Sequence, residues 1–262
     1  MNGPKIGTID IETAPLESNT WGLFDQTVGL NQILTEWSIL SFCFKPLNGS
    51  KKDIVYFDTS DKDDPRDDYE LCGKLWEILH EYDFLVAQNG KRFDLRKIKA
   101  RLIMHGFPPP SPVKVLDTML MARQVAAFTS NKLEWLAEWL TDSRKSSHGK
   151  FPGFSLWVEC LNKNPAAWRE MKKYNIPDVL TCEKVYLRLR PWITGHPNIV
   201  VYNDDDTVAC PVCGSHNVKA DGFSYTSTSK YQRYNCGGCG AWSRSRFTLN
   251  TLSKRKALLT NA

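Results

Sequence analysis

The chain has 262 residues and a mass of 29.9 kDa, with 42% hydrophobic residues, 24% charged residues and a formal net charge of +5. That apolar content excludes a wholly disordered protein, and no apolar run approaches the ~18 residues of a membrane span. The length suits one large domain, or a medium domain with a small one attached. The first ten residues lack the long apolar stretch of a secretory signal. A cytoplasmic location (host cytoplasm if the source is viral) with no membrane partner is therefore expected.

In chain order, Lys5–Asp10 predicts a buried first strand, and Trp37–Phe44 and Ile54–Phe57 predict two more, rich in β-branched and aromatic residues. Residues 14–36 form a long connection without a clear period. Leu71, Leu75, Ile78 and Leu79 recur at helical spacing and predict a helix from about Tyr69 to Tyr82. Phe84–Ala87 reads as a short strand. A basic helix follows from Asp94 to His105, ended by Gly106 and Pro108–Pro110. Val113–Leu116 reads as another strand, and helices are expected near 118–127 and 131–140. Asp117 suits a cap for the first of these, and Trp135 and Trp139, four apart, read as core residues. Residues 141–164 read as loop, with His148 a surface histidine. A helix from about Pro165 and another through Leu189 close this part, with Pro177 predicting a bend or restart. Pro191–Pro197 reads as a linker.

Alternating strands and helices indicate an α/β domain over residues 1–192. Short connections between the first strands predict a mixed sheet that begins antiparallel. Residues 200–262 form a second, β-rich module. They carry eight basic residues against four acidic ones, and so hold most of the chain's excess charge. A basic module suits a polyanionic partner, although it is also what a solvated surface looks like.

The eight cysteines divide by spacing. Cys43, Cys72, Cys160 and Cys182 are scattered and read as ordinary buried thiols. Cys210-Pro-Val-Cys213 and Cys236-Gly-Gly-Cys239 form two tight pairs. Four converging thiolates match tetrahedral zinc in a closed structural site. Gly214 and Gly240 follow the pairs, where backbone near a metal often needs unusual dihedrals. Phe223–Thr226 and Tyr231–Tyr234 suggest a hairpin between the pairs. The segment resembles a zinc ribbon holding one structural Zn2+. Its aromatic and basic residues, Tyr231, Arg233 and Arg244 among them, suit contact with bases and phosphates. Trp242 and Phe247 read instead as filling the ribbon's small core. Recruitment of a protein is the rival role for the module.

Three acidic motifs occur in the larger part. In Ile9-Asp10-Ile11-Glu12-Thr13, strand alternation points Asp10 and Glu12 to one face. Two carboxylates at the end of an apolar strand either meet solvent or share a hard divalent cation. Asn89-Gly90-Lys91-Arg92-Phe93-Asp94 joins a strand to a helix. Here Asp94 suits an N-cap and Asn89-Gly90 a turn. In Tyr174-Asn175-Ile176-Pro177-Asp178-Val179, the four-residue offset puts Tyr174 and Asp178 on one helix face.

Together, Asp10, Glu12, Asp94, Tyr174 and Asp178 resemble the DEDDy branch of the 3′→5′ exonucleases, over roughly residues 5–190. The tyrosine form fits because Lys173 stands where the sister branch would have histidine. The resemblance implies a ribonuclease H-like mixed sheet flanked by helices, and two Mg2+ or Mn2+ ions. It implies that Asp10 bridges both ions, that Glu12 and Asp178 complete one site, and that Asp94 serves the other. Tyr174 would align the attacking water. The implied activity is hydrolysis of phosphodiesters at the 3′ end of nucleic acid, with single-stranded DNA favoured and a replication or repair protein as a partner. Asn89, Lys91 and Arg92 become candidate substrate contacts. The alternatives are a ribonuclease or structure-selective nuclease of the same fold, and a catalytically silent binding or recruitment protein.

Overall fold

The computed structural model describes residues 3–143, 149–204 and 206–260, so His148 lies outside the described residues. Lys5–Tyr186 form one compact unit, and the chain from Leu187 onward, with the first four residues, forms another.

In the larger unit, β1 (Ile6–Thr13) is a buried run of alternating apolar and polar side chains. A two-strand ribbon of β2 (Glu17–Ser18) and β3 (Ile33–Thr35) lies in the connection that follows. The segment between them exposes Trp21, Leu23 and Phe24 almost completely. Next come β4 (Ile39–Pro46), β5 (Val55–Asp58), α1 (Tyr69–Glu81), β6 (Phe84–Ala87), α2 (Asp94–Met104) and β7 (Lys114–Asp117). The sheet order is β5-β4-β1-β6-β7. β1 pairs antiparallel with β4 and parallel with β6, which is the mixed sheet the short early connections predict.

The two-residue period of β1 divides the unit. Ile9 and Ile11 pack with Phe42, Phe44, Leu85 and Ala87 beneath Leu71, Leu75 and Leu79 of α1 and Ile98 and Leu102 of α2. Burying each such side chain is worth ~1.5–3 kcal/mol. Asp10 and Glu12 therefore point to the opposite sheet face.

Asp68, fully buried at the start of α1, fastens this layer. Its carboxylate accepts the Ile39 N–H (2.8 Å) and the Arg101 guanidinium (2.6 and 2.7 Å), and lies 2.6 Å from His105 Nε2. Burial opposes the charge, but these donors hold the carboxyl below its usual range. Asp68, Cys72 and His105 are grouped closely enough to hold an ion. The Arg101 fork already occupies the place a cation would take. Removing one partner of a buried pair costs about 3–5 kcal/mol.

Four helices follow: α3 (Thr118–Val125), α4 (Leu133–Leu140), α5 (Ser155–Leu161) and α6 (Pro165–Leu189). Leu156, Cys160, Ala167, Trp168 and Met171 of α5 and α6 pack on Ala14 and Leu40. Three expectations change here. Residues 155–161 form a helix rather than loop, because Leu156 and Cys160 anchor a stretch too short to show a period. α6 runs unbroken through Pro177 rather than restarting. Trp139 is 68% exposed and stacks loosely on Trp135 rather than filling a core. The scattered cysteines are all buried, as expected, and burial pushes Cys43 and Cys160 up to about 12.

The second unit contains β8 (Val218–Tyr225), β9 (Lys230–Cys236) and β10 (Trp242–Arg244) in the order β10-β9-β8, followed by α7 (Leu252–Ala257). It is a three-stranded sheet rather than a bare hairpin. Its buried cluster is Cys210, Val212, Cys236 and Ala241. Trp242 and Phe247 are 53% and 82% exposed, so neither fills the core: the four cysteines take that place. Among the described residues no helix is long and apolar enough to cross a membrane.

Candidate active site and cysteine cluster

The end of β1 and the middle of α6 meet across the sheet. Asp10, Glu12, Tyr174 and Asp178 line one cleft of about 700 Å3. Asn175, fully buried between Tyr174 and Asp178 in sequence, donates its Nδ2–H to Asp10 Oδ2 at 2.5 Å. This bond ties α6 to β1 at the carboxylate itself. From α5, Trp157 donates its indole N–H to Glu12 Oε2 at 3.0 Å, and its ring meets Tyr174 edge-on at 6.2 Å. Pro177 lies beside these residues. Lacking an N–H, it cannot bond back to the Lys173 carbonyl, yet the helix continues and Tyr174 and Asp178 reach the same cleft.

Asp94 does not line that cleft. It is 3% exposed, opens α2, and accepts the Ile11 N–H at 3.2 Å. Burial, aided by the charge of Asp117, pushes its carboxyl up to about 7 against the pull of its backbone hydrogen bonds. Its nearness to the other acids shows at Cys182, a fully enclosed thiol on α6. Burial raises Cys182 first, and the charges of Asp10, Asp94 and Asp178 all raise it further. In the geometry itself, Asp94 of α2 meets the Ile11 N–H between Asp10 and Glu12, and Asn175 of α6 meets Asp10. Among the described residues, however, the four acids do not bring three ligand atoms within 4.8 Å of one another. Protein donors hold Asp10, Glu12 and Asp94 instead.

The second motif is organised from outside itself. Asp117, at the end of β7, accepts the N–H groups of Asn89 (3.2 Å) and Lys91 (3.1 Å), and also those of Met119 and Leu120 at the start of α3. It caps α3 as expected and shapes the turn as well. Asn89 takes a left-handed φ of 60°, which asparagine tolerates, and its buried Oδ1 has no partner among the described residues. A Cβ on Gly90 would stand 2.4 Å from Ala87 Cβ, so no larger residue fits. Lys91 and Arg92 are exposed and are not among the residues that line the cleft, whereas the adjacent Phe93 is. The cations that line it are Arg123 and Lys132, with Phe93 and Gln88 beside them. Sequence reasoning missed these two. Arg123 lies in the last turn of α3 and Lys132 precedes α4, and no local spacing links either to Asp10.

In the smaller unit, the Sγ atoms of Cys210 and Cys239 are 3.8 Å apart, those of Cys213 and Cys236 are 3.6 Å apart, and all four lie within 4.8 Å. A tetrahedral zinc with bonds of about 2.3 Å would separate its sulfurs by about 3.8 Å, so the donor set fits. Each pair forms a knuckle. Gly214 and Gly240 take φ of 74° and 82° and return N–H bonds to the Cys210 and Cys236 carbonyls. Burial raises the Cys236 thiol, but N–H groups of Cys239 and Gly238 outweigh it and hold it at about 7.

On the ribbon's sheet, Arg233 pairs with Arg244 and Asn235 with Trp242, so Tyr231, Arg233, Trp242 and Arg244 share one face. Arg244 lies 3.9 Å from the Tyr231 ring centroid and Arg233 lies 4.6 Å from that of Trp242.

No curated protein matches the sequence. Among solved structures, the family B DNA polymerase from the hyperthermophilic archaeon Pyrobaculum calidifontis is similar, at 13% identity and a TM-score of 0.46. The match covers 72% of this chain and 26% of the polymerase, so the chain spans about a quarter of that protein. A family model described as the RNase_H superfamily matches residues 9–190, more than two thirds of the 262. With its mixed five-stranded sheet flanked by helices and the acidic cleft at the end of β1, the chain belongs to the RNase_H superfamily, which supports a nuclease-type function.

Proposed function

We propose that residues 1–192 form a metal-dependent 3′→5′ exonuclease domain acting on single-stranded nucleic acid, DNA above all, and that residues 200–262 form a zinc ribbon that helps bind it. The observation that carries this reading is the shared cleft of Asp10, Glu12, Tyr174 and Asp178. Carboxylates alone would repel a phosphodiester, and hard oxygen donors of this kind suit magnesium or manganese. Asp10, Glu12 and Asp178 would hold such ions, with Asp94 completing the set. Such ions, if bound, would supply Lewis-acid chemistry: a more acidic attacking water and stabilisation of charge on the departing 3′-oxygen.

The chain's own residues do the rest. Tyr174, which lines the cleft, hydrogen-bonds the attacking water and orients it. Arg123 and Lys132 steer the phosphodiester into the cleft against the acidic floor. Phe93 offers a face to the terminal base. Asn175 and the Ile11 N–H hold Asp10 and Asp94 in place. Incubation with single-stranded DNA and Mg2+ is expected to release nucleoside 5′-monophosphates. Only larger fragments, or no hydrolysis, would count against the reading.

On the ribbon, bases stack on Tyr231 and Trp242 while Arg233 and Arg244 meet phosphates. Tyr231→Ala is expected to weaken single-stranded DNA binding by ~1–3 kcal/mol. Arg244→Ala is expected to flatten the slope of log affinity against log salt by about 1. Titration of both variants at several salt concentrations checks this. Unchanged affinity and slope would assign the face to a protein partner instead.

A further inference from the structure

The contact between α5 and the acidic cleft lies outside all three motifs, and it joins two of their members. Trp157 gives its N–H to Glu12 and its ring edge to Tyr174. We propose that Trp157 is a positioning residue: its N–H fixes the rotamer of the Glu12 carboxylate, and its ring fixes Tyr174 across the cleft. This rests on the reading of Glu12 as a metal ligand and Tyr174 as the residue that aligns water.

The placement of Trp157 supports it. α5 is fastened to the sheet by Leu156 and Cys160, both fully buried, on either side of Trp157. Trp157 itself is half-buried, and its ring meets Glu12 and Tyr174, two residues that line the cleft. An indole N–H is a donor only and cannot itself be a ligand. Its use here is to occupy one oxygen of a carboxylate through a charge-assisted bond, which orients the group. Groups that orient a metal ligand in this way typically change metal affinity by 10–100-fold when removed. The contact also explains why a helix as short as α5 matters to the site: it carries a side chain that touches both Glu12 and Tyr174.

Two substitutions separate the two contacts. Trp157→Phe keeps the ring and loses the donor, whereas Trp157→Leu loses both. Mn2+ binding to the full chain, measured by calorimetry without substrate, is expected to weaken by about 10–100-fold in Trp157→Phe. Its kcat is expected to recover toward wild type at saturating Mn2+. In Trp157→Leu, kcat is expected to stay low even then, because Tyr174 has lost its neighbour. In a Glu12→Gln background, Trp157→Phe is expected to weaken Mn2+ binding no further, since the two act as one unit. Wild-type Mn2+ affinity in Trp157→Phe, or the full loss repeated in the Glu12→Gln background, would overturn the proposal. Should Asp10→Ala leave Mn2+ binding intact, the carboxylates are not the metal site, and both readings fall for a different, recognisable reason.

Discussion

Asp10→Ala is expected to lower nucleic-acid hydrolysis by at least about 10²–10³-fold, the scale on which loss of one transition-state-stabilising group acts. The effect should be on chemistry rather than folding. Asp10 lies on the sheet face opposite Ile9 and Ile11, so its removal leaves the main core intact. The structural cost is local. Asn175 is fully buried and loses its acceptor, worth ~1–3 kcal/mol. Asp10→Asn keeps the shape and serves as the second variant, and it should be comparably inactive. A thermal melt beside the activity assay separates the two effects. Undiminished hydrolysis by either variant, in preparations free of contaminating nuclease, would contradict the assignment.

Zinc removal is the second large effect, and it should be confined to one part of the chain. The buried cluster of the smaller unit is Cys210, Val212, Cys236 and Ala241, with Cys213, Val218 and Cys239 partly buried against it, too little apolar surface to offset the entropy of ordering it. Structural zinc contributes ~10–16 kcal/mol in comparable small modules. A strong chelator is therefore expected to unfold the ribbon while the Lys5–Tyr186 unit, with its own core, stays folded. Limited proteolysis followed by mass analysis should find cuts in 200–262 first. Unchanged protease resistance and circular dichroism after zinc loss would show that the ribbon is held by something else. Cys236→Ser should mimic chelation.

The parts of this molecule that sequence made legible are those where one short stretch carries its own period. Ile9-Asp10-Ile11-Glu12 announces both a strand and a two-faced one. The Cys-x-x-Cys pairs announce their knuckles, and the helical spacing over Leu71–Leu79 announces α1. What stayed hidden depends on residues far apart in the chain. Trp157 and Glu12 are 145 positions apart, and Asn175 and Asp10 are 165 apart. Arg123 and Lys132 enter the cleft only because the chain around α3 and α4 folds back beside Tyr174 and Asp178 of α6. Lys91 and Arg92 sit inside a motif, and the turn that Asp117 shapes leaves both exposed. Pro177 misled for a related reason: the rule about lost helical hydrogen bonds is local, whereas packing along α6 keeps the helix whole. In the ribbon, Trp242 and Phe247 looked like core because they are large and apolar. The thiol cluster had already taken the interior.

The most direct measurement follows single-stranded DNA labelled at either end during incubation with the full chain. In Mg2+ or Mn2+, a 5′ label should remain on a ladder shortening one nucleotide at a time. A 3′ label should appear at once as mononucleotide, and EDTA should stop both. Early loss of the 5′ label, cuts at internal positions, or hydrolysis that persists in EDTA would contradict a metal-dependent 3′→5′ exonuclease. The same assay on RNA decides which sugar the cleft accepts.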